Sequence, residues 1–147
     1  MLTFNDKLAH CHGYTTTLTL PYDTRQKSRF KAELDDGQVA AVILERGNIL
    51  RAGECLRSET GVVVLVKAAD ESVSSVHLSD TLLLTRAAYH LGNRHVALQI
   101  GDQSLRYQHD HVLDEMLRGM GIEVTTEMAP FEPEAGAYSQ HVHSHEH

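Results

Sequence analysis

The first half of the chain carries short runs of β-branched and apolar residues separated by turn signals, a pattern typical of strands. The clearest runs are Thr15–Leu20, Val39–Leu44 and Val62–Val66. The third is a continuous apolar run, which predicts a strand buried on both faces of a sheet. Residues 1–70 are therefore predicted to form a small all-β N-terminal domain, a sheet or sandwich of about four to six short strands.

The hydrophobic period changes in the second half. Val73–Leu78 is predicted to form a strand. In Asp80–Leu91 the apolar residues recur at helical spacing, which predicts a helix with Ser79 or Asp80 as its N-cap. Gly92 is the predicted C-terminal stop of this helix, because glycine is the residue that most readily takes a left-handed backbone conformation.

Beyond this helix the apolar residues alternate again. Val96–Ile100 is predicted to form a strand, and Ser104–Tyr107 follows a Gly-Asp turn and is expected to pair back as a hairpin. A second helix is expected from about Asp110, with one apolar face and a stop at one of the two glycines that follow. A final strand begins at Ile122.

The resulting order, β-α-β-β-α-β, predicts a ferredoxin-like domain at residues 71–130, with the boundary at the polar segment 69–72. The two helices are expected to cover one face of a four-stranded antiparallel sheet. The other face would then be free, which favours dimerisation or docking onto the N-terminal domain. Residues 131–147 have no hydrophobic period and are predicted to form a disordered His-rich tail. The predicted fold class is α+β.

Composition argues against several classes of protein. The 147 residues contain no apolar run long enough for a spanning helix, and the N-terminus lacks the pattern of a secretory signal. With 13 basic and 20 acidic residues, the formal net charge of −7 argues against nucleic-acid binding. Two cysteines, Cys11 and Cys55, cannot form a disulfide framework, and with the missing signal they indicate the reducing cytosol.

Histidine is the compositional outlier, with 11 residues in the chain. The end of the chain alternates histidine with other residues, at His141, His143, His145 and His147. Imidazole suits Ni²⁺, Cu²⁺ and Zn²⁺, and a mobile chain can wrap several imidazoles around one ion. The entropy cost of ordering such a chain favours loose, exchangeable binding. The alternative is a purification tag or a solvated tail without function.

A second group consists of His109 and His111, which flank Asp110, the expected N-cap of the second helix. Residues two apart on a regular helix lie about 200° apart, so one rigid helical face cannot present both imidazoles. One hypothesis is a labile metal site with one or both histidines as ligands, because the helix N-terminus disfavours the cationic imidazolium. The other is two exposed histidines beside a capping aspartate.

His95 lies where the first helix ends and the strand Val96–Ile100 begins. Its parity in that strand predicts a side chain on the sheet face away from the helices. On a dimer axis, two copies can share one ion there, and two protein ligands leave the coordination shell open for transfer of the metal. The alternative is a polar edge residue. His90, in the last helical turn, is interpreted as a partner of the helix dipole.

The segment His10-Cys11-His12 combines imidazole with thiol. In an extended strand the cysteine faces away from both histidines, so this segment is a minor candidate for a soft-metal site. The chain contains no nucleophile elbow, Walker A, GxGxxG or zinc-protease motif. A metal-dependent hydrolase would also need a general base beside the ion, and the sequence offers no convincing one. The protein is therefore expected not to be an enzyme.

Several motifs resemble those of the UreE family of urease accessory proteins, over essentially the whole chain. The most specific is Tyr-His-Leu-Gly-Asn-Arg-His at residues 89–95, followed by Val-Ala-Leu-Gln-Ile. The histidine-rich end also resembles the family. So do residues 105–117 and 131–138 in the second half, and residues 46–47, 50–53 and 59–61 in the first.

This resemblance implies a nickel metallochaperone that delivers Ni²⁺ to apo-urease, acting with the other accessory proteins and their maturation GTPase. It implies a cytoplasmic homodimer joined through ferredoxin-like domains, with an N-terminal domain that resembles a peptide-binding domain. By motif position, His95 takes the interface-metal role and the tail matches a nickel-loading extension. His109 and His111 match the peripheral metal histidines found in some members.

Two other functions stay open at this point. One is a non-enzymatic protein-interaction module in which the histidines are incidental, and the other is a metal storage or buffering protein. Nickel specificity follows from the resemblance alone, because imidazole-rich sites also bind Zn²⁺ and in general bind Cu²⁺ more tightly than Ni²⁺.

Overall fold

The structure, a computed structural model, describes residues 1–136. The chain divides into two compact units, Met1–Ala69 and Asp70–His147. In the described part of the chain, no helix is long and apolar enough to cross a membrane. The predicted metal ligands of the tail lie outside the described residues: His141, His143, His145 and His147.

The first unit is a six-stranded mixed sheet with one short helix. The strand order is β2-β6-β5-β1-β4-β3, in which β1–β4 and β2–β6 are parallel and the other neighbours are antiparallel. Apolar side chains from the strands and their connections form its core. The elements are β1 (Leu2–Leu8), β2 (Thr16–Leu20), α1 (Tyr22–Arg25), β3 (Arg29–Glu33), β4 (Val39–Ile43), β5 (Cys55–Ser58) and β6 (Val63–Ala68).

Strands β2, β4 and β6 confirm the three runs recognised in the sequence. The prediction that the third run is buried on both faces is wrong, because burial alternates along β6. Val64 and Val66 are fully buried, whereas Val63 and Leu65 are only half-buried. Valine suits the exposed face of a pleated strand as well as its buried face, so an unbroken apolar run does not prove burial on both sides.

The all-β prediction for this unit missed helix α1, which is held by a buried charged residue. Arg25 is fully buried, and its Nε donates a hydrogen bond to the carbonyl oxygen of Leu20 at 3.1 Å. Its Nη1 donates to the carbonyl oxygen of Leu50 at 3.2 Å, and its guanidinium lies 5.6 Å from the ring centroid of Tyr22. These contacts tie α1 to the end of β2 and to the connection that precedes β5.

A disulfide joins Cys11 to Cys55, with 6.0 Å between their Cα atoms. Cys55 is fully buried at the start of β5, and Cys11 lies in the connection that follows β1. This cross-link is not expected from the sequence, because the two cysteines and the lack of a signal pattern indicate a reducing compartment. The cysteines are 44 residues apart, and only the pairing of β1 with β5 brings them together.

The second unit has the predicted order of elements, β-α-β-β-α-β. Its sheet has the strand order β10-β7-β9-β8, and every neighbouring pair is antiparallel. Both helices contribute to one apolar cluster with side chains of β7 and β9, including Leu91, Leu105 and Leu117. The elements are β7 (Asp70–His77), α2 (Thr81–Asn93), β8 (Gln99–Gly101), β9 (Ser104–Gln108), α3 (His111–Gly119) and β10 (Thr125–Pro130).

Only one end of α2, the N-terminal end, agrees with the prediction made from the sequence. The side chain of Asp80 accepts a hydrogen bond from the backbone N–H of Leu83 at 3.1 Å, so Asp80, and not the alternative Ser79, is the N-cap. Gly92 is not the C-terminal stop, because α2 continues to Asn93. The left-handed position after the helix is occupied by His95, with φ at 59°. Helix α3 ends at Gly119, one of its two predicted stops.

The predicted flexible tail does not begin at residue 131. Phe131 is fully buried, the backbone N–H of Glu132 donates to Oε1 of Gln99 at 2.8 Å, and the N–H of Glu134 donates to the carbonyl oxygen of Leu98 at 2.8 Å. We call residues 131–134 the return segment. A single buried phenylalanine between two prolines produces no hydrophobic period, so the sequence pattern did not reveal it.

The return segment also covers part of one face of the second sheet. Ser75, Arg106 and Gln99 lie side by side on β7, β9 and β8, so their side chains share one face. Arg106 donates from Nε to Oγ of Ser75 at 3.0 Å and from Nη1 to the carbonyl oxygen of Pro130 at 3.1 Å. This face is opposite the helices, and the chain itself crosses it. The prediction of a free sheet face is therefore wrong here, as is the dimerisation argument built on it.

Candidate metal centre

One open cleft of the second unit collects several residues singled out in the sequence. Its volume is about 380 Å³. Three pieces of chain form its wall: the connection between α2 and β8, the end of β9, and the start of α3. The lining residues are His95, Val96, Ala97, Tyr107, Gln108, His109, Asp110 and Leu113.

His95 reaches this cleft from a turn. The predicted strand Val96–Ile100 is replaced by a shorter β8 that begins at Gln99, so the parity argument for His95 is wrong. The backbone N–H of His95 donates to the carbonyl oxygen of Gly92 at 3.0 Å, and its φ of 59° is left-handed. This conformation costs a non-glycine residue about 1–2 kcal/mol. The turn therefore places the exposed residue His95 in the wall of the cleft at some cost in backbone energy.

His109 also lines the cleft and is held there by several contacts. Its backbone N–H donates to the carbonyl oxygen of Ser72 at 3.1 Å, which ties it to β7. Its Nδ1 lies 3.2 Å from Oγ of Ser74 and 3.2 Å from Oδ2 of Asp114. The side chain is still 39% exposed, so the imidazole is both fixed and accessible.

The start of α3 separates His109 from His111. Asp110 is the N-cap predicted from the sequence, and its Oδ1 accepts hydrogen bonds from the backbone N–H of Val112 at 2.9 Å and of Leu113 at 3.1 Å. His111 is the first residue of the helix, is exposed, and does not line the cleft. The structure thus brings His109 together with His95 on one cleft and leaves His111 outside it.

A buried polar cluster behind His109 was missed by the sequence analysis. Asp114 is 1% exposed, and its Oδ1 accepts hydrogen bonds from Oγ of Ser74 and from the hydroxyl of Tyr107, both at 2.7 Å. Burial and the neighbouring Asp114 raise the pKa of the Tyr107 phenol well above its usual value, so it stays protonated and keeps donating. The sequence did contain one sign of this cluster: Asp114 follows Leu113 on the apolar side of an amphipathic helix, where a charged residue is unexpected.

The cleft carries two imidazole donors but no complete set of metal ligands among the described residues. Within residues 1–136, no group of three His, Cys, Asp or Glu side chains is placed to hold a metal ion. His95 and His109 therefore offer borderline nitrogen donors that suit Ni²⁺, Cu²⁺ or Zn²⁺ but do not form a closed site.

The other histidine candidates lie elsewhere. His90 is exposed near the end of α2, and its ring packs edge-on against that of Tyr89 at 5.2 Å. His10 and His12 belong to the first unit and are both exposed. Cys11, which lies between them, is bonded to Cys55, so no thiolate is present there for a metal.

The fold and the cleft define a small, two-unit α+β protein with imidazole donors on an open surface. The chain belongs to the UreE urease accessory protein family. The model of the family's N-terminal domain matches residues 7–69, and that of its C-terminal domain matches residues 71–147. The resemblance found in the sequence is therefore confirmed.

Curated relatives agree with this assignment along nearly the whole chain. A urease accessory protein UreE of Alkalilimnicola ehrlichii is 59% identical over 138 residues, which cover 94% of this chain and 85% of the relative. One from Pseudomonas putida is 56% identical over 145 residues, covering 98% and 90%. One from an Enterobacter species is 53% identical over 145 residues, covering 98% and 95%.

Proposed function

We propose that this protein takes part in urease maturation as a nickel metallochaperone, which delivers Ni²⁺ to apo-urease while the urease active site is assembled. Membership of the UreE family supports the link to urease. The observation that carries the metal role is the cleft lined by His95 and His109, two accessible imidazoles that, within residues 1–136, belong to no group of three donor side chains placed to hold an ion. An incomplete ligand set is what a carrier needs, because its cargo must leave again.

The mechanism is ligand exchange. Neutral imidazoles take up the cation, and a partner with a more complete site removes it. Protonation of imidazole competes with metal binding. Nickel affinity is therefore expected to fall as the pH drops through about 6.5, the ordinary pKa of a histidine side chain. Cu²⁺ and Zn²⁺ suit the same donors and are expected to compete with nickel. No general base is assigned, and the proposal includes no catalytic step.

A homodimer would supply the missing donor at His95. In this proposal the His95 imidazoles of two copies share one ion, and His109 and His111 bind cargo at the periphery of each copy. The dimer is supported by the exposure of His95 and by family membership, and no longer by a free sheet face. The tail histidines His141, His143, His145 and His147 would load additional ions.

We also propose partners, a compartment and a role for each unit. The partners are apo-urease and its other accessory proteins, including the maturation GTPase, and the compartment is the cytoplasm. The strand order β10-β7-β9-β8 and the two helices on one face support a ferredoxin-like classification of residues 71–130. The first unit is proposed to dock a peptide segment of a partner.

Equilibrium dialysis with Ni²⁺ tests the central site. His95→Ala is expected to lower nickel affinity by about 10-fold or more and to remove one ion per dimer, because one imidazole from each copy is lost. His90→Ala is the matched control, since His90 is an exposed histidine near the end of α2 that does not line the cleft. Equal binding by wild type and His95→Ala would show that the site is wrongly assigned.

Two further measurements separate the possible functions. Deletion of residues 141–147 is expected to reduce the number of bound ions and to preserve the binding that depends on His95. Nickel-loaded protein mixed with apo-urease and the other accessory proteins is expected to raise urease activity above that with free Ni²⁺ at the same concentration. Tight binding without any such gain would favour a storage or buffering protein.

A further inference from the structure

Asp114 is the most deeply buried carboxylate beside the cleft, and the proposed function does not use it. It lies in the first turn of α3, where the partial positive charge of the helix N-terminus favours a carboxylate. Its Oδ1 accepts from Ser74 and Tyr107, and its Oδ2 lies 3.2 Å from Nδ1 of His109. These contacts occupy both oxygens of the side chain.

The hydrogen bonds define which nitrogen of His109 carries the proton. A carboxylate has only acceptors, and the hydroxyl of Ser74 has a single proton, which it donates to Asp114 at 2.7 Å. Nδ1 of His109 faces Oδ2 of Asp114 and Oγ of Ser74, both at 3.2 Å. With the Ser74 proton committed to Asp114, Nδ1 must act as the donor. The proton of neutral His109 is therefore on Nδ1, and the lone pair is on Nε2.

We propose that Asp114 is a positioning residue that holds Nδ1–H of His109 and so presents Nε2 to a cation in the cleft. This inference rests on the proposed metal role of His109 and goes beyond it. It names the ligand atom and the group that orients it. A carboxylate that accepts from the far nitrogen of a histidine fixes the ring and makes the ligating nitrogen more basic.

The two histidines around the N-cap Asp110 differ in how firmly they are held. His109 is tied to β7 through its backbone and to Asp114 through its side chain, whereas His111 is exposed at the first position of α3. An oriented imidazole loses less conformational freedom when it binds an ion than a mobile one does. We therefore expect His109 to be the stronger ligand, with His111 secondary.

The tautomer is measured first, on metal-free protein. Long-range ¹H–¹⁵N NMR correlations of the imidazole are expected to show the Nδ1–H form for neutral His109. In Asp114→Asn, which puts an amide in place of the carboxylate, this preference is expected to be lost. Glu115→Gln is the matched control, because Glu115 lies in the same helical turn and is exposed.

Nickel titrations give the second readout. Asp114→Asn is expected to weaken the binding that depends on His109 by about 10–100-fold, the usual effect of losing such a partner. In a His109→Ala background the same substitution is expected to have no further effect on nickel affinity. Should Asp114→Asn not fold, Ser74→Ala and Tyr107→Phe each remove one donor to Asp114 and are expected to loosen the tautomer preference partly.

The outcomes are distinguishable. An unchanged tautomer preference in folded Asp114→Asn would overturn the positioning role, whatever the nickel data show. An intact Nδ1–H form in wild type, combined with equal nickel binding by wild type and His109→Ala, would instead overturn the metal role of His109. A change in both the tautomer and the nickel affinity, absent from Glu115→Gln, would support the proposal.

Discussion

Replacing Phe131 by alanine tests whether the return segment is part of the folded second unit. Phe131 is 0% exposed, and the segment that carries it makes backbone hydrogen bonds to Gln99 and Leu98. A Phe→Ala substitution in a packed interior costs about 3–5 kcal/mol, because transfer free energy is lost and a cavity remains. Residues 131–134 can detach to relieve part of this cost, so we expect about 2–4 kcal/mol.

The assay combines urea denaturation with hydrogen exchange. Denaturation reports the loss of stability of the second unit, and the amides of Glu132 and Glu134 report docking of the segment itself, because their hydrogen bonds break when it detaches. Both amides are expected to exchange much faster in the variant. Met128→Ala is the control: Met128 is 65% exposed on neighbouring β10, and its loss should change stability by no more than about 0.5 kcal/mol.

A Phe131→Ala protein that is as stable as wild type and retains slow exchange at Glu132 and Glu134 would contradict this prediction. That result would mean that the segment does not depend on its aromatic anchor. Destabilisation without faster exchange at the two amides would also contradict it, because the cost would then arise in the sheet and not in the segment.

Two further predictions concern the cross-link and the buried phenol. Cys11→Ser is expected to lower the free energy of unfolding of the first unit by up to about 4 kcal/mol, the chain-entropy value for a loop of this length. A strong reductant should destabilise wild type by a similar amount, and equal urea midpoints with and without reductant would contradict the prediction. The pKa of Tyr107 is raised in the folded state, so the stabilising contribution of its protonated phenol is fully present below about pH 10 and is lost as the pH rises further. The free energy of unfolding should therefore fall more steeply at alkaline pH in wild type than in Tyr107→Phe.

The elements that the sequence predicted well depend on local interactions. The N-cap Asp110 was identified and that of α2 was narrowed to Ser79 or Asp80, because capping needs only one side chain and the next three residues. The end of α3 and the hairpin of β8 and β9 followed from glycines and alternation in the same way. Turn chemistry was less reliable, since His95 took the left-handed position that Gly92 was expected to occupy.

Most errors came from contacts between residues far apart in the chain. The Cys11–Cys55 bond depends on the pairing of β1 with β5, and the docking of the return segment depends on its hydrogen bonds to Gln99 and Leu98. The interpretation of His95 failed for a related reason. Its orientation was inferred from a strand that is shorter in the structure than the alternation suggested.

The sequence was sufficient for the order of elements in the second unit, for the family, and for selecting His95 and His109 as candidate metal ligands. Periodicity and motifs are read along the chain, as are the positions at which helices begin. Tertiary structure alone decided that these two histidines share a cleft, that His111 does not, and that Asp114 lies behind His109. The physical reason is that orientation and hydrogen-bond partners of a side chain depend on strand register and helix packing, and a linear pattern contains neither.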